Sequence, residues 1–551
     1  MQLEKKTRMW ERNEMKSRRT RKTLLSLLAA VAFSSVALVP AMAKTLVYCS
    51  EGAPEGFDAA LYTTNSTWDA SAETIYDRLT EFESGTTNVV PGLAESWTIS
   101  DDNLEYTLKL RQGVKFHSTD SFAPTREFNA DDVLFTYNRQ LDKKHPWNNY
   151  FPGAGWEMFN AMDMPVIIKE VVKIDDHTVK FVLHQPDASL LAKLALNFGS
   201  IMSAEYAEQL AKAGQREDLD RKPVGTGPFR FVDYQTNAVI RFAANAEYWG
   251  GTPKIDNLIF VITTDPATRM QKLQAGECHI AAYPAPADVA RLKADPNLTV
   301  MEQPGLNVAY LAMNTLATPF DKVEVRRALN MAIDRKAIVE AVYQGMGQVA
   351  QSVLPPSMWG YNDDIKGYSY DPDGAKKLLN GAGVKDLKMK IWAMPVSRPY
   401  MPNARRAAEL MQADLAKIGV GVEIVSYEWG EYLKKARDKA RDGAVVLGGT
   451  SDNGDPDNLL SYFFSCSGVG GSNSANWCYK PLEDILQKAR VSSNKDERTR
   501  LYQEAQAIVI DQAPWIPLAH STVVLPMSRN VKNYVMEPLG SHRFEKVDIE
   551  E

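Results

Sequence analysis

Between Leu387 and Asn458 the chain alternates strand and helix signals, and this stretch limits the folds open to the rest. Leu387–Trp392 alternates as a strand, then breaks at Pro395, Arg398, Pro399 and Pro402. A helix follows from Asn403 to about Ile418, with Ala407, Leu410, Met411, Leu415 and Ile418 on one face. Val420–Val425 is a second strand, ending at Tyr427-Glu428-Trp429-Gly430. A helix over roughly Glu431–Arg441 leads to a third strand from Val445, which runs into Asp452-Asn-Gly-Asp-Pro-Asp-Asn458. Pro456 and Gly454 are expected to keep this acidic loop from becoming a helix or a ladder strand.

This is β-α-β-α-β, and crossovers of this length favour parallel strands with right-handed connections. Ligands of open parallel sheets collect outside the carboxyl ends of the strands. Arg398, Trp429 and Asp452 are therefore expected along one rim. A fixed cation, a flat aromatic wall and a fixed anion suit a small zwitterion with an apolar middle.

At 551 residues the chain exceeds one ordinary core, so two or three domains are expected. Residues 1–43 read as a signal peptide. A basic Lys16–Lys22 precedes an apolar Leu24–Val39, and Ala41-Met42-Ala43 fits a cleavage site that leaves Lys44 first. Met15 is an alternative start. The leader holds nine basic and three acidic residues, so the net charge of −6 becomes about −12 on the mature chain. That acidic balance argues against nucleic acid and anionic membranes as partners.

All four cysteines, Cys49, Cys278, Cys466 and Cys478, follow the leader, and an even count in an exported chain reads as two disulfides. Three pairings exist. Cys466 and Cys478 flank a Gly/Ser/Asn-rich loop and are paired locally, which leaves Cys49 with Cys278. The spacing is not that of a zinc site.

Taken in order, Lys44–Tyr48 starts a strand and Asp69–Leu79 reads as a helix. Trp97–Ser100 with Glu105–Leu110, and Ile168–Ile174 with Thr178–Leu183, read as hairpins; Asn129 caps a helix to about Leu141. This α+β unit, residues 79–224, is inserted between 44–78 and 225–303, which form one lobe with 524–551. Residues 304–523 form the second lobe.

Metal and nucleophile signatures are missing: there is no H-E-x-x-H, G-x-S-x-G, Walker A or dinucleotide fingerprint. Counting twelve from Asp452 or Asp455 reaches Phe463 or Cys466, so an EF-hand lacks its bidentate Glu. No cofactor and no metal are expected.

Several segments carry a family resemblance: Pro91-Gly-Leu-Ala-Glu-Ser-Trp97, Gly225-Thr-Gly-Pro-Phe229, Trp392-Ala-Met-Pro-Val396, Arg398-Pro-Tyr400, Tyr427-Glu-Trp-Gly-Glu-Tyr-Leu433 and Asp452–Asn458. The chain resembles, across its mature length, the periplasmic solute-binding proteins of peptide ABC transporters, nearest their dipeptide branch. The resemblance implies an α/β fold of two lobes closing on a ligand, with an extra α+β domain inserted in the first. It implies a periplasmic monomer, not an enzyme, that hands dipeptides or short peptides to an inner-membrane ABC permease. Asp452 would hold the α-ammonium and Arg398 the α-carboxylate. Trp429 and Tyr400 would line the site, with the Thr63-Thr64 loop opposite. Gly449 stands where the dipeptide relatives carry a Trp, so a larger or looser pocket is expected. Heme, glutathione or longer peptides are alternative ligands, and an exported peptidase is an alternative of another class.

Overall fold

The computed structural model describes residues 43–151, 155–427 and 429–550. The signal peptide read at residues 1–43 lies outside them, save Ala43.

The first lobe opens with β1 (Thr45–Ser50) and the short helix α1 (Asn65–Ala70). Four strands, β2 (Ala94–Ile99), β3 (Glu105–Leu110), β4 (Ile168–Asp175) and β5 (Thr178–Leu183), then build an antiparallel sheet of their own, ordered β2-β3-β5-β4. In β3, Tyr106, Leu108 and Leu110 alternate inward, as a half-buried strand requires. Asn129 caps the helix packed beside this sheet, in a reciprocal capping box with Asp132. The chain returns with β6 (Asn257–Ile262), β7 (Ile280–Ala281) and β8 (Leu298–Pro304). β1 lies between β6 and β7, parallel to both. Bonded Cys49 and Cys278 tie β1 to the segment entering β7, and Cys466 is bonded to Cys478.

The second lobe comprises β9 (Asn307–Met313), β10 (Lys388–Trp392), α2 (Ala404–Lys417), β11 (Gly421–Val425), α3 (Trp429–Ala436), β12 (Ala444–Thr450), α4 (Pro456–Phe464) and α5 (Lys480–Val491). β10 runs parallel to both β11 and β12, so this segment is the parallel β-α-β-α-β unit its periodicity predicts. α2 turns Ala404, Ala407, Ala408, Met411 and Leu415 into the core, and Asn403 accepts from Arg406 N to start it.

One strand joins the β1-β6-β7-β8 strands of the first lobe and the β9–β12 strands of the second into a single large sheet. In β13 (Trp515–Ser528), residues 515–519 pair with β9, while Thr522–Ser528 pair with β8. Where the strand passes between lobes, Ser521 N donates to Asn307 Oδ1 and Gly305 N to Ser521 O, both at 2.9 Å. The large sheet therefore runs through this crossing without breaking. The apolar core has one large cluster in each lobe and a smaller one around the Cys49–Cys278 bridge; the second-lobe cluster contains Trp515 stacked against Tyr310.

Two local expectations differ from the structure. The helix predicted over Asp69–Leu79 ends at Ala70, because the backbone beyond is claimed elsewhere: Gly227 N donates to Ile75 O and Phe229 N to Thr74 O. Pro456 does not keep the acidic loop irregular throughout. It is the first residue of α4, where its missing N–H costs nothing, and Asp455 caps that helix by accepting from Asp457 N.

Candidate functional site

A cavity of about 800 Å³ lies between the lobes. The second lobe contributes Arg398, Tyr400, Thr450, Ser451 and Asp452; the first contributes Glu51, Thr63, Thr64, Asp69 and Tyr283. Parallel strands explain why these residues converge. Glu51 follows β1, Thr264 follows β6, Tyr283 follows β7, Arg398 follows β10 and Asp452 follows β12, so each stands beyond a strand's carboxyl end. The rim argument that selects Arg398 and Asp452 would have found Glu51 and Thr264 had it been applied to β1 and β6. Arg78 and Arg543, which also line the cavity, carry no comparable signal.

The register places the two charged anchors at different heights. β10 ends at Trp392 opposite Val445, and β12 continues five residues further, to Thr450. The loop after β10 folds beside this overhang. Arg398 and Met401 exchange both backbone hydrogen bonds around Pro399, at 3.1 and 2.9 Å, which makes a tight turn and fixes Arg398 at its first position. Tyr343 Oη donates to Tyr400 O at 2.6 Å and holds the other side of that turn.

Arg398 is half-buried, with its guanidinium carbon 5.2 Å from the centre of the Trp429 ring, a cation–π contact. Trp429 thus backs Arg398 from the start of α3 and is not among the residues lining the cavity. Tyr400 lines it, and burial pushes its phenol up to about 12, against the opposing hydrogen bond with Arg398. Thr63 and Thr64 are exposed to the cleft from the other side; Thr64 precedes α1, and its hydroxyl donates to Glu55 Oε1 at 3.0 Å.

Gly449 also stands back from the cavity. Successive residues of a strand face opposite ways. A Cβ on Gly448 would lie 2.2 Å from Tyr400 Cδ2, and one on Gly449 would lie 2.4 Å from Phe463 Cζ. Each glycine lets an aromatic ring lie against bare backbone, Tyr400 on the cavity side and Phe463 on the core side.

Of the three carboxylates in the acidic loop, only Asp452 lines the cavity. Asp455 is paired with Arg498 Nη2 at 2.7 and 2.8 Å, and Asp457 accepts from Ser461 Oγ at 2.5 Å. Burial pushes Asp452 up to about 6, opposed by a hydrogen bond from the Asn458 amide. Facing it, Glu51 is also raised by burial, with Arg269 and Arg398 opposing, and Asp69 is raised by burial with Glu51 adding to the shift. Among the described residues no group of His, Cys, Asp and Glu side chains is arranged to hold a metal ion.

The cavity thus presents fixed cations, Arg398 among them, and fixed anions, Asp452 among them, on its lining. Comparison with known proteins agrees in kind. The family described as bacterial extracellular solute-binding proteins, family 5 (middle), matches residues 88–471. A dipeptide-binding protein of Escherichia coli (strain K12) is 52% identical over 528 residues, covering 96% of this chain and 97% of its own. Heme-binding protein A of Haemophilus influenzae is 49% identical over 508 residues, covering 92% of each. The crystal structure of a dipeptide binding protein from Pseudoalteromonas sp. SM9913 in complex with Met-Leu superposes with a TM-score of 0.83 at 39% identity, covering 92% of this chain and 100% of that one. The match spans well over half of the sequence and the likeness runs along nearly all of it: this chain belongs to the bacterial extracellular solute-binding proteins of family 5.

Proposed function

We propose that this protein is the periplasmic binding component of an ABC importer, exported by residues 1–43, and that it takes dipeptides or short peptides by their charged ends. Asp452 receives the α-ammonium and Arg398 the α-carboxylate, with Tyr400 beside them and Thr63 and Thr64 closing from the other lobe. The loaded, closed monomer delivers its ligand to the inner-membrane permease and performs no chemistry on it. The observation that carries this reading is the placement of Arg398 and Asp452 on the wall of one cavity between the lobes. The names of similar proteins support the ligand class.

A dipeptide is about 7 Å long at roughly 3.5 Å per residue, so two fixed charges can measure it. Removing one partner leaves a ligand charge desolvated and unpaired, which costs about 2–5 kcal/mol. Asp452→Ala and Arg398→Ala are each expected to weaken binding roughly thirty-fold or more in titration calorimetry. N-acetylation should harm binding to the wild type and hardly affect Asp452→Ala further; C-amidation should behave likewise with Arg398→Ala. Acetylated dipeptides that bind the wild type as well as free ones would remove Asp452 as the ammonium anchor. Native mass spectrometry of protein purified without denaturation reads the retained ligand, so intact peptides, heme or cleavage products are told apart directly.

A further inference from the structure

We propose that Asn458 is the positioning residue of the Asp452 anchor: its amide clamps Asp452 by backbone and carboxylate together and keeps the carboxylate ionised and aimed at the ligand. This rests on the reading of Asp452 as the ammonium site. Asn458 lies in the first turn of α4, six residues beyond Asp452, and is 7% exposed. Its Oδ1 accepts from Asp452 N at 2.8 Å, and its Nδ2 donates to Asp452 Oδ2 at 3.2 Å. The first bond decides the second. A backbone N–H can only donate, so the amide oxygen must face it and the NH₂ must face the carboxylate.

From the other lobe, Met162 Sδ stands 3.6 Å from the same Nδ2. Met162 is 5% exposed, so thioether rather than water covers the back of the amide. Among the described residues, Asn458 is the side chain that hydrogen-bonds the Asp452 carboxylate, and it does so at Oδ2. One turn further along α4, burial pushes the Tyr462 phenol up; the Asp452 charge adds to that shift, Arg437 opposes it and Glu157 adds to it. The Asn458 amide is, among the described residues, the group that favours the ionised form of Asp452 against its burial.

The test is calorimetry of the dipeptide Ala-Phe between pH 5 and 8. Wild type, Asn458→Ala, Asn458→Asp, Asp452→Asn and the double variant Asp452→Asn/Asn458→Ala are compared. Asn458→Asp keeps the size and the acceptor for Asp452 N but removes the donor, so it guards against loss of the fold. Both Asn458 variants are expected to bind about tenfold more weakly at pH 7 and to move the acid midpoint of binding upward, more so for Asn458→Asp. In the Asp452→Asn background, Asn458→Ala should cost nothing further. A weaker affinity with an unmoved midpoint, or an equal loss in both backgrounds, overturns the positioning role alone. Unchanged affinity in Asp452→Asn overturns the anchor itself and this inference with it.

Discussion

Gly454 lies directly against Thr87: a Cβ built on Gly454 would stand 2.4 Å from the Thr87 Cβ. Thr87 belongs to the turn between the strands Thr80–Phe82 and Val89–Pro91, and Gly454 to the acidic loop of the second lobe, so the contact crosses the cleft. Gly454 also has φ +69°, a backbone conformation that costs a non-glycine residue about 1–2 kcal/mol. Gly454→Ala is therefore expected to prop the lobes apart. Small-angle scattering with saturating ligand should show a larger radius of gyration than the wild type, and affinity should fall about tenfold or more.

Gly449→Trp tests which way that position faces. Phe463 is 7% exposed and occupies the space a side chain would enter. An indole there is expected to overpack the core and destabilise by about 1–3 kcal/mol, not to narrow the cavity. Phe463→Ala alone should cost about 3–5 kcal/mol. Combined, the two changes should cost less than their sum in denaturant unfolding. If Gly449→Trp left stability intact and tightened small dipeptides selectively, the position would face the ligand after all.

The acid limb of binding should report Asp452. Burial pushes its carboxyl up to about 6, and the ionised form is the one that attracts an ammonium. Binding is therefore expected to weaken about tenfold from pH 7 to pH 5 and to stay level above 7 until the ligand α-amine titrates near 8. Stability of the free protein runs the other way. A folded-state carboxyl raised above its unfolded value favours the fold when protonated, and that contribution is lost as pH rises from about 4 to 6. Asp452→Asn should flatten both dependences between pH 5 and 7.

The two disulfides should differ in weight. Cys49–Cys278 spans 229 residues and Cys466–Cys478 spans 12. Chain entropy predicts that removing a native bridge costs about 2–5 kcal/mol, more for the longer loop. Cys49→Ala/Cys278→Ala is expected to lower the denaturation midpoint further than Cys466→Ala/Cys478→Ala. Equal losses would mean that native packing around the buried Cys49 and Cys278, not loop closure, sets the effect.

Much of the second lobe was legible because its periodicities are local. The spacing of Ala407, Met411 and Leu415 defines α2, and the apolar run from Val445 defines β12, without reference to distant residues. Pro456 misled because the same residue breaks a helix interior and begins a helix at its first turn. The Asp69–Leu79 segment failed because its carbonyls serve Gly227 and Phe229, which lie about 150 residues away, and no window of sequence contains both partners. At the site, strand-end logic placed Arg398 and Asp452 on one cavity wall. It could not tell a lining residue from its backing, so Trp429 stands one layer behind the surface, as does Gly449, which the resemblance singled out.

Because β13 is an inner strand shared by the two lobes' portions of one sheet, the lobes are not interchangeable cassettes. Exchange of one lobe between related proteins would have to carry half a strand and match it, in register, to the half left behind; a slip of one residue would turn every side chain of the transferred half to the wrong face. Recombination within such a gene is thus confined by hydrogen-bond register, and the two halves of the binding surface are inherited as one.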